Sequence, residues 1–352
     1  MSKLKLGVIF GGISTEHDVS VVSGTSVIEN LDKEKYEIYP IYISQKGDWY
    51  KYEKPINEIV TLEIKEEITE KEEITDVIGY LKRMDVIFPV LHGIGGEDGS
   101  IQGIFELIKV PFVGCGILAS SIGMDKAYTK LVFEKAKINQ AKYEYIRKDK
   151  EEYIYIDKEF NEKRCNIEEI CNITEKNLKY PMFIKPSNSG SSVGINKVKT
   201  KNELKNAIEY ATKFDRKVLI EEGIDGREVE CAVLGKEDVV ASCVGEILPA
   251  EEFYSYDAKY TNEESKIEIP AKLDKNIQNE IRKQAIKAFK AIDGKGLSRV
   301  DFFLENRTNK IYINEINTLP GFTKISMYPK LFEHEGIEYK DLLDKLINLA
   351  KY

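Results

Sequence analysis

Two short segments near the C-terminus carry the residues best suited to chemistry. Leu297-Ser-Arg299-Val-Asp301-Phe-Phe303 and Ile311-Tyr-Ile-Asn-Glu315-Ile-Asn317 each read as a β-strand, and Glu305 to Asn309 between them has turn composition. Strand side chains alternate between faces, so Arg299 shares a face with Asp301, and Glu315 with Asn317. In a symmetric hairpin centred on Thr308, Asp301 stands opposite Glu315 and Arg299 opposite Asn317. Two facing carboxylates repel unless a cation lies between them. An Asp, a Glu and an Asn carbonyl are hard oxygen donors, suited to Mg²⁺ that also holds substrate phosphates. The plainer alternative is a solvated polar face on half-exposed strands. Pro320-Gly321 follows at once, a tight turn that brings backbone close to a ligand.

Three further segments have chemical content. Tyr180 to Lys185 reads as a strand that delivers a lysine into Pro-Ser-Asn-Ser-Gly190-Ser191-Ser192-Val-Gly194. Small residues let backbone N–H groups approach phosphate oxygens, and the lysine adds a point charge. No GxxxxGK[ST] occurs, so this is not a Walker A loop, and a Ser/Gly loop by itself is as readily a turn. Val218-Leu-Ile-Glu221-Glu222-Gly-Ile-Asp-Gly226-Arg-Glu228 ends an apolar strand in carboxylates, either surface acids or acceptors for an adenine amino group and a ribose. Phe10-Gly11-Gly12-Ile-Ser-Thr-Glu16-His17-Asp18 joins a strand to a helix start. Acids there are commonly caps. Glu16 is alternatively a partner for a substrate ammonium. His92-Gly93-Ile-Gly95-Gly96-Glu-Asp-Gly99 faces the same side if both loops follow parallel strands, the edge where open α/β sheets bind ligands.

The elements that must position these residues follow from hydrophobic pattern. Leu4 to Phe10, Tyr36 to Ile43, Asp85 to Leu91 and a short Val110 to Val113 read as strands, with helices over Val19 to Leu31 and Ile101 to Leu107. Near-unbroken apolar strands alternating with helices predict a parallel α/β sheet buried on both faces. Further on, helices are expected over Asp125 to Ala136, Asn202 to Thr212, Asn276 to Ile292 and Asp341 to Ala350. Residues 50 to 80 and 147 to 179 carry little register information.

The chain of 352 residues predicts two or three domains. Its 52 Lys+Arg against 60 Asp+Glu leave a net charge of −8, which argues against a general nucleic-acid coat. Five cysteines without CxxC or zinc-type spacing suit a reduced, cytoplasmic protein. No apolar run approaches the roughly 18 residues of a membrane span. The run Leu6 to Phe10 is too short for the apolar region of a signal peptide.

Taken in order, these segments resemble the D-alanine–D-alanine ligase family of the ATP-grasp superfamily. The blocks that carry the resemblance are Phe10 to Ser20, Leu91-His92-Gly to Gly99, Gly123-Met-Asp-Lys126, Lys185 to Gly194, Ala258-Lys259-Tyr260, Ser298-Arg-Val-Asp301 and Asn314 to Thr323. They span almost the whole chain. The resemblance implies an α/β fold, α+β in its C-terminal part. It implies a Rossmann-like N-terminal domain (1–124), a central ATP-grasp subdomain (125–216) and a C-terminal one (217–352) with the metal hairpin and a lid at Glu251 to Glu264. It implies ATP-dependent joining of two D-alanines through an acylphosphate, for peptidoglycan, and commonly a homodimer. By motif, Glu16 holds the first amino acid's ammonium and connects with Ser191 and Tyr260. Lys126, Lys185, Ser192 and Lys259 serve the phosphates, and Glu221 and Glu228 the adenine and ribose. Arg299 stabilises the oxyanion; Asp301, Glu315 and Asn317 hold two Mg²⁺ (or Mn²⁺) ions. His92, Gly321, Ser326 and Met327 fall in the substrate-binding segments. An apolar Met327 suits a second D-alanine. D-serine is the alternative, since Gly47-Asp-Trp49-Tyr50 and Gly223-Ile-Asp-Gly226 resemble the serine-type relatives. A nucleotide-binding paralogue without catalysis is disfavoured, because the arginine and all three metal-site residues are present.

Overall fold

The computed structural model describes residues 3–52, 71–248 and 266–351. Lys259, Tyr260 and the expected lid at Glu251 to Glu264 lie outside the described residues, as does most of the 50–80 stretch.

The first sheet contains β1 (Leu4–Gly11), β2 (Tyr36–Ile43), β3 (Trp49–Tyr52), β4 (Lys71–Glu73) and β5 (Val86–Pro89) in the order β4-β3-β2-β1-β5. β1 runs parallel to β2 on one side and β5 on the other, while β3 and β4 add antiparallel edges. Alternation along β1 explains its unbroken apolar run. Leu6, Val8 and Phe10 enter one core cluster and Ile9 the opposite one. Helices α1 (His17–Asn30), α2 (Val77–Leu81) and α3 (Ser100–Ile108) complete this layer. Val110 to Val113 forms only an isolated bridge, Phe112 to Ile87, because the chain leaves the sheet edge after one pairing.

The expected helix from Asp125 proves to be the second of two. α4 (Ile117–Met124) ends where α5 (Lys126–Lys135) begins, and Asp125 caps both. The second sheet is wholly antiparallel, β10-β9-β11-β6-β7-β8. Its strands are β6 (Tyr143–Asp149), β7 (Glu152–Ile156), β8 (Glu162–Cys165), β9 (Met182–Pro186), β10 (Asn196–Val198) and β11 (Lys217–Glu222), with helices α6 (Ile167–Asn177) and α7 (Lys201–Ala211). The charged 147–179 stretch thus forms strands and a helix. α6 starts in a capping box, with Asn166 and Glu169 satisfying each other's backbone N–H groups. Ile184, Val218 and Ile220 pack under α6 and α7. Period two therefore turns Lys185, Leu219 and Glu221 to the opposite face.

The third sheet, β14-β13-β12-β15-β16, is also antiparallel. It comprises β12 (Gly226–Gly235), β13 (Val240–Leu248), β14 (Lys266–Glu268), β15 (Gly296–Glu305) and β16 (Ile311–Asn317). α8 (Lys275–Ala291) covers one face through Ile281, Ala285 and Phe289, joined by Phe133 of α5. The terminal helices α9 (Met327–His334) and α10 (Tyr339–Lys351) pack their apolar residues into the cluster that holds Leu6, Val8 and Phe10. The C-terminus thereby closes back on the first sheet, where Tyr36 Oη donates to Asp344 Oδ1 at 2.8 Å. Among the described residues no helix is long and apolar enough to cross a membrane.

Candidate active site

A cavity of about 1290 Å³ lies where the three sheets meet. Each sheet contributes one wall.

The first wall is the carboxyl edge of β1 and β5. Ser20 Oγ donates to Val90 O at 2.5 Å and accepts from Gly11 N at 2.8 Å, which seats the start of α1 between the two strand ends. Glu16, immediately before α1, is buried and lines the cavity. Its carboxylate accepts a hydrogen bond from Ser191 Oγ of the second sheet's loop. Glycine is required on both sides of it. A Cβ at Gly190 would stand 2.6 Å from Glu16 Oε2, and one at Gly93 (φ +70°) 2.7 Å from the same atom. His92 is buried beside it, with Nδ1 3.1 Å from Leu319 O and Nε2 3.2 Å from Ser23 Oγ.

The second wall carries the lysines. Lys126 opens α5; its backbone N–H donates to Ser187 O at 3.0 Å and its Nζ to Ser189 O at 2.5 Å. Ser191 and Ser192 both take left-handed φ, 49° and 61°, and face the cavity. Lys185 Nζ lies 2.6 Å from Glu221 Oε2 and 3.3 Å from Asn314 Oδ1. Lys130 Nζ pairs with the other oxygen, Glu221 Oε1. Burial alone would push the Glu221 carboxyl up, but the two ammonium groups outweigh it and hold it at about 2. Burial works against the Lys185 ammonium, and Glu221, Glu315 and Glu228 together overcome it, leaving Lys185 above its ordinary value. Glu228, on β12 of the third sheet, also lines the cavity.

The third wall is the hairpin. Asp301 stands opposite Glu315 and Arg299 opposite Asn317, the register expected of a symmetric turn at Thr308. The symmetry stops there. Phe302 pairs with Ile313, so Asn314 is an extra, bulged residue on β16, and its side chain reaches Lys185. On the other side of β15, Glu230 of β12 stands opposite Asp301. Three carboxylates therefore lie in a row across neighbouring strands, a repulsive arrangement without cations. Arg299 supplies one cation. Its Nε donates to Asp301 Oδ1 at 2.8 Å and lies 3.0 Å from Glu230 Oε2, and its terminal nitrogen donates to Asp301 Oδ2 at 2.7 Å. Burial disfavours the guanidinium charge, yet Asp301 and Glu230 hold it well above its ordinary value. Lys126 Nζ supplies a second, 4.0 Å from Glu315 Oε2. Arg299, Glu315 and Asn317 line the cavity, while Asp301 is buried behind the guanidinium. Beyond the hairpin, Ser326 Oγ accepts from Thr323 N at 2.9 Å, and Gly321, Ser326 and Met327 close this end.

The cavity therefore gathers the expected site residues that fall within the described part of the chain, with Asp301 one layer behind. Two charged residues of this centre escape a motif-based reading, Lys130 and Glu230. Lys130 lies four residues after Lys126 and thus on the same helix face. Glu230 lies two after Glu228 and thus on the same strand face. Periodicity alone could have found both. The arrangement can hold a polyanion against lysines, a cationic amine against Glu16, and a developing oxyanion beside Arg299.

Comparison with known proteins assigns the chain to a family. The family described as "D-ala D-ala ligase N-terminus" matches residues 5–115 and that described as "D-ala D-ala ligase C-terminus" matches residues 132–348. A D-alanine–D-alanine ligase of Acetivibrio thermocellus is 50% identical over 99% of this chain and 96% of its own length. The structure resembles the VanG D-Ala:D-Ser ligase from Enterococcus faecalis, with a TM-score of 0.86, 38% identity, and coverage of 99% of this chain and 100% of that one. It also resembles the D-alanine–D-alanine ligase from Coxiella burnetii, with a TM-score of 0.85, 32% identity, and coverage of 100% and 94%. The two matches cover the site residues from Glu16 to His92 and from Lys185 to Met327, and the chain belongs to the D-alanine–D-alanine ligase family.

Proposed function

We propose that the protein joins two D-alanine molecules into D-alanyl-D-alanine at the expense of ATP, supplying a peptidoglycan precursor. The observation that carries this reading is the single cavity in which Glu16, Lys185, Arg299 and Glu315 converge from three sheets. In the proposed reaction, Glu16 receives the ammonium of the first D-alanine, with Ser191 orienting the carboxylate. Lys126, Lys185, Lys259 and backbone N–H groups near Ser192 hold the phosphates. Glu221 and Glu228 accept from the nucleotide's adenine and ribose; a carboxylate has about four lone-pair sites, so Glu221 retains acceptor capacity beside its two lysines. The γ-phosphoryl group passes to the first D-alanine's carboxylate, giving an acylphosphate and ADP. The second D-alanine, as its free amine, attacks the acyl carbon; the tetrahedral oxyanion develops beside Arg299, and phosphate leaves as the peptide bond forms. His92, Gly321, Ser326 and Met327 surround the second amino acid, and Tyr260 belongs to the set that closes the site.

Two facing carboxylates, the Asn317 carbonyl and two cationic side chains already drawn to them fit a hard divalent cation. Asp301, Glu315 and Asn317 are the residues that would hold Mg²⁺ or Mn²⁺, which would offset the charge of the triphosphate. Among the described residues no three His, Cys, Asp or Glu side chains gather as a metal cluster, so Asn317 and substrate phosphates would complete the coordination. The division at 1–124, 125–216 and 217–352 is part of this proposal, supported by one sheet per segment. β11 is the one exception, since it lies in the third segment and hydrogen-bonds within the second sheet. A cytoplasmic homodimer completes the reading. The exposed Leu107, Ile117 and Leu118 on α3 and α4 support self-association, to be tested by sedimentation.

A second reading, ligation of D-serine, rests on the likeness to a D-Ala:D-Ser ligase. The discriminating experiment supplies ATP, Mg²⁺ and equal D-Ala and D-Ser and identifies products by mass spectrometry. D-Ala–D-Ala with matching ADP is expected. Predominant D-Ala–D-Ser would transfer the assignment to the second reading, and ADP without dipeptide would remove both.

A further inference from the structure

Ser23 lies on the buried face of α1, is fully enclosed, and belongs to none of the motifs above. Its hydroxyl sits between two groups from different parts of the chain. Phe322 N donates to Ser23 Oγ at 3.3 Å, and His92 Nε2 is 3.2 Å from the same oxygen. The other ring nitrogen, His92 Nδ1, is 3.1 Å from Leu319 O and 3.7 Å from Glu97 Oε1.

Proton counting along this chain has one solution. A carbonyl and a carboxylate can only accept, so Nδ1 carries a hydrogen. The lone pairs of Ser23 Oγ receive the Phe322 N–H. Its own hydrogen then needs an acceptor, and among the described residues His92 Nε2 is the one within reach. A neutral imidazole with its proton on Nδ1 satisfies every member; an imidazolium would leave the Ser23 hydrogen without an acceptor.

The geometry points to Ser23 as a positioning residue for the second substrate. One hydroxyl fixes the tautomer of His92 and at the same time anchors the backbone on both sides of Gly321: Leu319 through the imidazole and Phe322 directly. The turn lining the cavity at Gly321 is thereby held to the first sheet's helix, not only to its own hairpin. A second tie, Tyr339 Oη donating to Phe322 O at 2.7 Å, holds the same residue from α10. With Tyr339 clamping the carbonyl of Phe322 and Ser23 its N–H, the relay's particular contribution is orientation of the imidazole and turn. The inference rests on the proposal that this end of the cavity receives the second amino acid.

The test uses the whole enzyme. The chain has three histidines, so histidine-selective ¹⁵N labelling yields three resolvable imidazoles, with His92 assigned by its loss in His92→Gln. At neutral pH the His92 Nδ1 is expected to show the protonated, pyrrole-type shift and Nε2 the pyridine-type shift. In Ser23→Ala the Nε2 signal should move, and the KM for the second D-alanine should rise roughly tenfold. The KM values for ATP and the first D-alanine should stay within about twofold, and Ser23→Thr, which keeps the hydroxyl, should restore the second-site KM. A purely structural role would lower the melting temperature without splitting the two D-alanine KM values. A wild-type His92 found protonated on Nε2 overturns the inference, and so does a Ser23→Ala enzyme with an unchanged second-site KM. If Ser23→Ala fails to fold, the wild-type spectrum decides alone. Absence of any dipeptide from the wild type would refute the ligase reading, while the spectrum still judges the relay.

Discussion

Ser191 donates its hydroxyl to Glu16 across 175 residues of sequence, from a backbone held in the left-handed region at φ 49°. This bond joins the loop of the second sheet to the helix start of the first. The two glycines flanking the carboxylate make the approach possible. Gly190→Ala would place a methyl group 2.6 Å from Glu16 Oε2, so the carboxylate must move. Displacement of a binding group by about 1 Å costs on the order of 10²-fold in rate. We therefore expect kcat/KM for the first D-alanine to fall by about that factor, with the melting temperature nearly unchanged. Saturation kinetics together with thermal melts check this, and a wild-type kcat/KM would remove Glu16 from the first-substrate site.

Arg299→Ala should lose turnover by about 10²–10³-fold, the usual cost of one oxyanion donor, while retaining ATP affinity. It should also lose about 3 kcal/mol of stability, because Asp301 and Glu230 are left as buried charges without their guanidinium. Denaturant unfolding and nucleotide titration separate the two effects. Full turnover in this variant would defeat the oxyanion assignment.

Lys130→Met tests a residue outside the recognised motifs. It frees Glu221 Oε1 while Lys185 still holds Oε2. Loss of a charged hydrogen bond at the nucleotide wall predicts ATP binding weaker by about tenfold, with both D-alanine KM values retained. Equal ATP affinity in wild type and variant would make Lys130 a packing residue only.

The acid dependence of stability follows from Glu221. Its folded-state value of about 2 lies below the ordinary 4.5. The charged form therefore contributes stability that is fully present above pH 4.5 and is lost as pH falls from 4.5 toward 2. The stability gap between wild type and Glu221→Gln should narrow through that window. Denaturation curves at pH 7, 4.5 and 3 provide the measurement, and a gap that stays constant would contradict the assigned ion pairs.

All five cysteines are buried and reduced. Burial pushes the thiols of Cys115 and Cys231 up to about 12, and only the thiolate is nucleophilic. A thiol reagent should find no fast-reacting cysteine in the native protein and five after denaturation. A fast native thiol would mean that one of these sites opens.

Much of this is legible in the sequence. The facing of Asp301 and Glu315 agrees with period-two alternation about a turn at Thr308, although the pairs nearest the turn, Phe302–Ile313, Phe303–Tyr312 and Leu304–Ile311, lie one residue off that symmetry and the bulge makes up the difference. The Asn314 bulge shifts the buried apolar positions from Ile311 and Ile313 to Ile316, and the sequence marks it only by two successive polar residues, Asn314-Glu315. The 147–179 stretch was opaque for a related reason. β7 and β8 are short, and Arg164 of β8 pairs with Glu152 of β7 and Asp149 of β6 on an exposed surface, so burial imposes almost no periodicity on them.

The sequence by itself determined which residues could act and which neighbours along the chain would share a face, because backbone geometry alone sets the periods of helix and strand. Tertiary structure decided which of those faces meet. Glu16 and Ser191, Glu221 and Lys130, and Ser23 and Phe322 are paired only because three sheets close on one cavity and α10 returns to the first. No local period encodes contacts between segments that far apart; they follow from how the apolar faces are buried together.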